Sequence, residues 1–157
     1  MTHNVDIEVV RRTITVAASQ EHAFEVFTAQ FGTWWPKEYS ISAAGMADFI
    51  VEPRVGGRWY EVGADGTECD SGKVTAFEPH DRLVLAWHLN ERFQFDPDPA
   101  HASEVEVRFI AEDPTRTRVE LEHRGFERHG AGAQGVHDAV DQGWSYCLEL
   151  FDKQATA

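Results

Sequence analysis

Of the residues in this chain that could do chemistry, the eight histidines come first. His123 shares the parity of Val119 and Leu121, so it is expected to point inward near the end of a strand. A buried imidazole must be hydrogen-bonded, and beside a cavity it could orient a ligand or move a proton near neutral pH. The competing reading is a satisfied structural histidine. Tyr60 or Glu61 could assist His123 as general acid or base. A metal centre is not expected: His129 and His137 are too far apart for a one-turn pair, and neither H-x-x-x-H nor H-E-x-x-H spacing occurs. The chain also lacks a G-x-S-x-G elbow, a nucleophile signature around either cysteine, a phosphate loop and a strand–GxGxxG–helix unit, so no nucleotide or other cofactor is expected.

The aromatic residues suggest binding instead. Trp34, Trp35, Trp59, Tyr60, Trp87, Phe109 and Trp144 supply large rigid walls, and each Trp or Tyr carries one polar handle. They could line a pocket or simply fill a core, since both uses require burial. Trp144 is the strongest candidate, because it lies on the apolar stripe of a helix together with Cys147, which reads as a small core residue. Arg12 shares the parity of Val10, Ile14 and Val16; an inward guanidinium must sit at the rim or meet an acid or an anionic ligand, and rim placement is expected. Arg54 and Arg58 flank Gly56-Gly57 and are expected to serve the turn or the surface.

The elements that would position these residues follow from periodicity. Residues 8–17 alternate as a half-buried strand. Ser19 with Glu21 starts a helix whose face is Ala23, Phe24, Phe27 and Phe31; Gly32 is its expected stop, with a second short helix around 33–37. Strands are expected over 46–52, 58–62, 72–78 and 83–88, with Asp65-Gly66 marking a hairpin. The stretch 90–103, which contains Pro97 and Pro99, is long for a connection and reads as a loop that could gate a pocket. Two strands with clean alternation follow: Val105, Val107 and Phe109 face in, then Val119 and Leu121, with charges facing out. From Val136 to Phe151 apolar residues recur at three and four, giving an amphipathic helix of about 18 residues.

Fourteen basic against 27 acidic side chains leave a net charge of −13. That argues against nucleic acid and anionic membrane surfaces as partners, which need clustered Lys and Arg. No apolar run reaches the roughly 18 residues a transmembrane helix requires. The two distant cysteines and an N-terminus without a basic, apolar leader make a reducing cytoplasmic setting the expectation. The length suits one domain, 1–157, with its core over about 8–153.

Segregated strands and helices make the fold class α+β. The element order and several motifs resemble the START-like (SRPBCC) superfamily, and within it the homologues of the activator of the heat-shock chaperone ATPase, a family that includes polyketide cyclase relatives. The motifs are E-P-R-V-G-G-R-W at 52–59, Gly72-Lys73-Val74 through Pro79, Leu83 to Trp87, T-R-V-x-L-x-H-x-G-F from Thr117 to Phe126, and Gly143-Trp144 with Leu148. The resemblance implies a helix-grip fold: a curved antiparallel seven-stranded sheet wrapped around the long C-terminal helix, with one or two short helices after the first strand and an internal cavity. It implies no common catalytic set. Chaperone activation does not carry over, because the additional N-terminal domain of the eukaryotic activators is not seen in this sequence.

The leading expectation is a binding protein, more a holder than an enzyme, for a small lipid-like, aromatic or polyketide-like molecule. The site would be drawn from Trp35, Trp59, Tyr60, Trp87, Phe109, His123, Trp144 and Cys147. The alternatives are a cyclase, dehydratase or hydrolase using His123, and an acidic interaction protein, such as a stress-response protein, docking on a basic partner such as a chaperone. A homodimer is the default assembly.

Overall fold

The computed structural model describes residues 7–157; residues 1–6, on which the expectation about an N-terminal leader bears, lie outside them. The first strand, β1 (Val10–Val16), is followed by helix α1 (Gln20–Thr28) and the short helix α2 (Phe31–Trp34). Six strands come next: β2 (Met46–Val51), β3 (Arg58–Gly63), β4 (Glu68–Glu78), β5 (Arg82–Trp87), β6 (Ser103–Asp113) and β7 (Arg116–Arg124). Helix α3 (Ala133–Ala155) closes the chain. The strands form one antiparallel sheet in the order β1-β7-β6-β5-β4-β3-β2, curled into a half-barrel around α3. This is the α+β helix-grip fold that the sequence motifs imply.

Curvature has a local cause. Register shifts interrupt β2/β3, β3/β4, β4/β5 and β6/β7. Each such bulge adds a residue to one strand, bends it and increases its twist. The concave face therefore wraps a helix instead of lying flat against one.

Helix α1 starts as its sequence demands: the Ser19 hydroxyl accepts from the His22 N–H at 3.1 Å, and Glu21 occupies the first turn. Its inward face is Ala23, Phe24, Val26 and Phe27. Gly32 does not stop this helix. The helix ends at Thr28, and Gly32 lies inside α2, where an added Cβ would stand 2.6 Å from the Phe49 backbone nitrogen. The glycine lets α2 press directly on β2. The second short helix thus begins before Thr33, and a separate 3-10 turn covers Lys37–Tyr39.

Helix α3 extends past the periodic stretch at both ends, to 23 residues, and buries Val136, Val140, Trp144, Cys147, Leu148 and Phe151. Arg12, on edge strand β1, faces inward and reaches α3, where it donates to the Asp141 carboxylate at 2.9 Å and to the Ser145 hydroxyl at 2.9 Å. It is a latch between the sheet edge and the helix, with an acid as its partner. On the convex face, Glu106 is only 8% exposed although its parity is outward, because Arg82, Arg108 and Arg124 close over it.

Candidate functional site

Between the open end of the half-barrel and the middle of α3 lies a cavity of about 280 Å³. Its floor is the sheet. Trp59 on β3 pairs with Gly72 on β4, and Gly72 pairs with Trp87 on β5. An added Cβ at Gly72 would lie 1.8 Å from the Ala86 carbonyl oxygen, so no other residue fits there without moving the backbone. Ser71, between the paired residues Asp70 and Gly72, is the extra residue of the β3/β4 bulge and is fully buried in the floor. The Trp59 and Trp87 ring centroids are 5.4 Å apart, and Trp59 stacks on Phe49.

Helix α3 forms the roof, with Val140, Gly143, Trp144 and Cys147 facing down. Trp35, Tyr39 and Ile41 form one side wall. Ile41 is held by Glu61, whose buried carboxylate accepts from the backbone N–H groups of Ile41 (3.1 Å) and Ser42 (2.7 Å) and from the Ser40 hydroxyl (2.8 Å). All of Glu61's hydrogen bonds go to the wall segment, Ser40 to Ser42. The stretch 90–103 contributes through its first turn. Asn90 caps that turn by accepting from the N–H groups of Arg92 and Gln94, and Phe93 sits at φ +57°, bringing its ring to the mouth beside Leu89. A phenylalanine in the left-handed region is strained and needs such support.

Among the described residues, no Asp, Glu, Lys, Arg or His lines the cavity. Its two titratable wall residues are held in their neutral forms. Burial pushes the Cys147 thiol up to about 12, against a backbone hydrogen bond that lowers it and with a small further push from the Glu38 carboxylate. The Tyr39 hydroxyl is likewise raised, first by burial, then by Cys147 and Glu38. A thiol held so far above neutrality is a poor nucleophile.

Of the residues singled out from sequence, Trp35, Trp59, Trp87, Trp144 and Cys147 come together in this wall. His123, Tyr60 and Phe109 do not. Tyr60 lies on the opposite face of β3 under the Arg58 guanidinium, 3.9 Å from its ring centroid. Phe109 belongs to the packed end of the core, between Phe24 and Phe27. His123 stands one layer behind the wall, its ring 5.1 Å from Trp87 and 4.5 Å from Phe126. The sequence reading missed Tyr39, Ile41, Phe49, Ser71, Leu89 and Phe93, whose placement depends on loops and a bulge; the broken alternation around Ser71-Gly72 is the one signal that marks the bulge.

Both ring nitrogens of His123 are engaged. The Trp144 indole N–H, which can only donate, meets Nδ1 at 3.1 Å, so the His123 proton lies on Nε2 and is donated to the Ser103 hydroxyl at 2.8 Å. The Ser103 hydroxyl also shares a hydrogen bond with His129 Nε2 at 2.7 Å. Complete burial, reinforced by His129 and His137, holds His123 well below its ordinary pKa. This ring stands behind Trp144 and Trp87, with both of its nitrogens hydrogen-bonded.

A model of the family described as Activator of Hsp90 ATPase homolog 1-like protein matches residues 17–155. The chain belongs to that family. Among solved structures, it is similar to an anthrahydroquino-Gama-pyrone synthase, Txn09, complexed with SUM: 43% identity, 87% of this chain and 88% of that one covered, TM-score 0.62. It is also similar to CalC from Micromonospora echinospora, a self-sacrificing resistance protein, at 34% identity, with 94% and 93% covered and TM-score 0.70. Protein MLL2253 from Mesorhizobium loti, 21% identical over 93% and 95% with TM-score 0.65, shares the fold. No curated protein matches the chain. Among the described residues, no group of three or more metal-type ligands comes together, and no helix is long and apolar enough to cross a membrane.

Proposed function

We propose that this member of the family binds a small, flat, aromatic or polyketide-like molecule between the sheet and α3. The observation that carries this reading is the wall itself: seven aromatic side chains, from Trp35, Tyr39, Phe49, Trp59, Trp87, Phe93 and Trp144, surround open space without a single charged group. A volume of about 280 Å³ lies at the small end of ligand sites, which run from roughly 300 to 1,000 Å³. Offset and edge-to-face contacts with a planar ring system suit such walls better than a flexible chain does.

The 43% identical relative is named a synthase, which favours a second reading in which the cavity also shapes a reaction of its ligand. On this chain such chemistry would rest on confinement and hydrogen-bond donation, because His123 is walled off and Cys147 stays protonated.

Thermal unfolding against a panel of polycyclic aromatics, fatty acids and sterols tests the first reading. A planar aromatic at about 100 times its dissociation constant should stabilise the protein by roughly 2.7 kcal/mol. Stabilisation by fatty acids alone, or by no member of the panel, would contradict it.

A further inference from the structure

Among the described residues, three buried side-chain atoms have no hydrogen-bond partner: the Trp59 Nε1–H, the Trp87 Nε1–H and the Ser71 hydroxyl. All three residues belong to the cavity's floor. Two other buried indoles differ. Trp34 donates to the Val26 carbonyl at 2.9 Å, and Trp144 donates to His123 at 3.1 Å. Buried polar groups in folded proteins nearly always find partners, because leaving one unmade costs free energy. Here the exceptions are confined to one patch, on adjacent strands, where the β3/β4 bulge and the Trp59–Gly72–Trp87 row meet.

We propose that this patch is a polar subsite for a neutral acceptor oxygen, the carbonyl of a ketone, quinone or pyranone set in a flat aromatic frame. This rests on the cavity being a ligand site. An indole N–H only donates, so two of the three groups demand an acceptor, and one carbonyl oxygen has two lone pairs to offer. A carboxylate or phosphate is disfavoured, since the wall contains no cation and the chain carries a net charge of −13. A pure hydrocarbon would leave all three donors unmade. The subsite therefore fixes both the class of the ligand and its orientation, carbonyl down against the sheet and rings beneath α3.

The test compares 9-fluorenone with fluorene, which share a ring frame and differ by a carbonyl in place of a methylene. The full-length protein, labelled with 15N at its indoles, is titrated with each. With fluorenone the Trp59 and Trp87 Nε1–H resonances should move downfield while that of Trp34 stays, and fluorenone should bind about tenfold more tightly than fluorene. Trp59→Phe and Trp87→Phe should bring the fluorenone-to-fluorene affinity ratio down towards one, whatever ring contact both probes lose alike; the wild-type shifts stand as evidence even if a variant folds poorly. Equal affinity for both probes with no selective indole shift would overturn the subsite and leave the cavity reading intact. Failure of both probes to bind would overturn the cavity reading, and the subsite with it.

Discussion

The two ends of the concave face are built from the same kinds of residues and do opposite things. At one end Phe27 packs directly against Trp34 (4.9 Å), Phe151 (5.2 Å) and Phe109 (5.6 Å). At the other, Trp59, Trp87, Trp144 and Trp35 stand around a void. What differs is the cover. Helices α1 and α2 deliver Phe24, Phe27, Phe31 and Trp34 into the first end, whereas the second is spanned by α3 and by loops alone. An aromatic residue becomes a core residue or a wall residue according to whether a second layer supplies side chains to fill its front.

Removing a ring from each end sharpens the contrast. Phe27→Ala should lose about 3–5 kcal/mol in denaturant unfolding, because the cavity it leaves is ringed by rigid neighbours. A similar loss for Trp87→Phe, a near-conservative change on the open side, would show that the two ends are not distinct in packing.

A smaller effect separates the brace behind the wall from the wall itself. Because the folded pKa of His123 is depressed below its ordinary 6.5, the stability that its neutral form contributes is complete above that pH. It is lost as pH falls from about 6.5 towards the folded value, by at most about 1.4 kcal/mol per pH unit for one proton. His129, also lowered by burial, adds in the same direction, while His101, raised by Asp96 at the surface, opposes it. His123→Gln retains an acceptor for Trp144 and a donor for Ser103, so it should flatten the loss of stability between pH 6.5 and 5.5. Unfolding curves with the same pH slope in both proteins would remove His123 from this role.

The same comparison explains what the chain made legible. Alternation in β6 and β7 and the three-and-four spacing of α3 dictate which side chains face inward, so the sheet, the helix and the inward Trp144 follow from local pattern. Phe109 and Trp87 both face inward, yet they lie near opposite ends of the paired strands β5 and β6, and periodicity carries no information about which end is covered. The tertiary partners of His123 were equally hidden, since Ser103 and Trp144 come from two other elements, β6 and α3. Gly32 read as a stop because a glycine after a helical pattern looks the same whether it ends a helix or admits a neighbouring strand.

The space beneath α3 is where a ligand would have to sit. Gly143 faces that space, and an added Cβ there meets only the Tyr39 ring at 3.6–3.9 Å, ordinary contact distances, so Gly143→Leu should plug the cavity without unfolding the protein. The decisive measurement is the thermal shift produced by a saturating planar aromatic ketone in the wild type and in Gly143→Leu, side by side. A clear shift in the wild type that vanishes in the folded variant is the predicted result; equal shifts in the two proteins would place the ligand elsewhere and contradict the account.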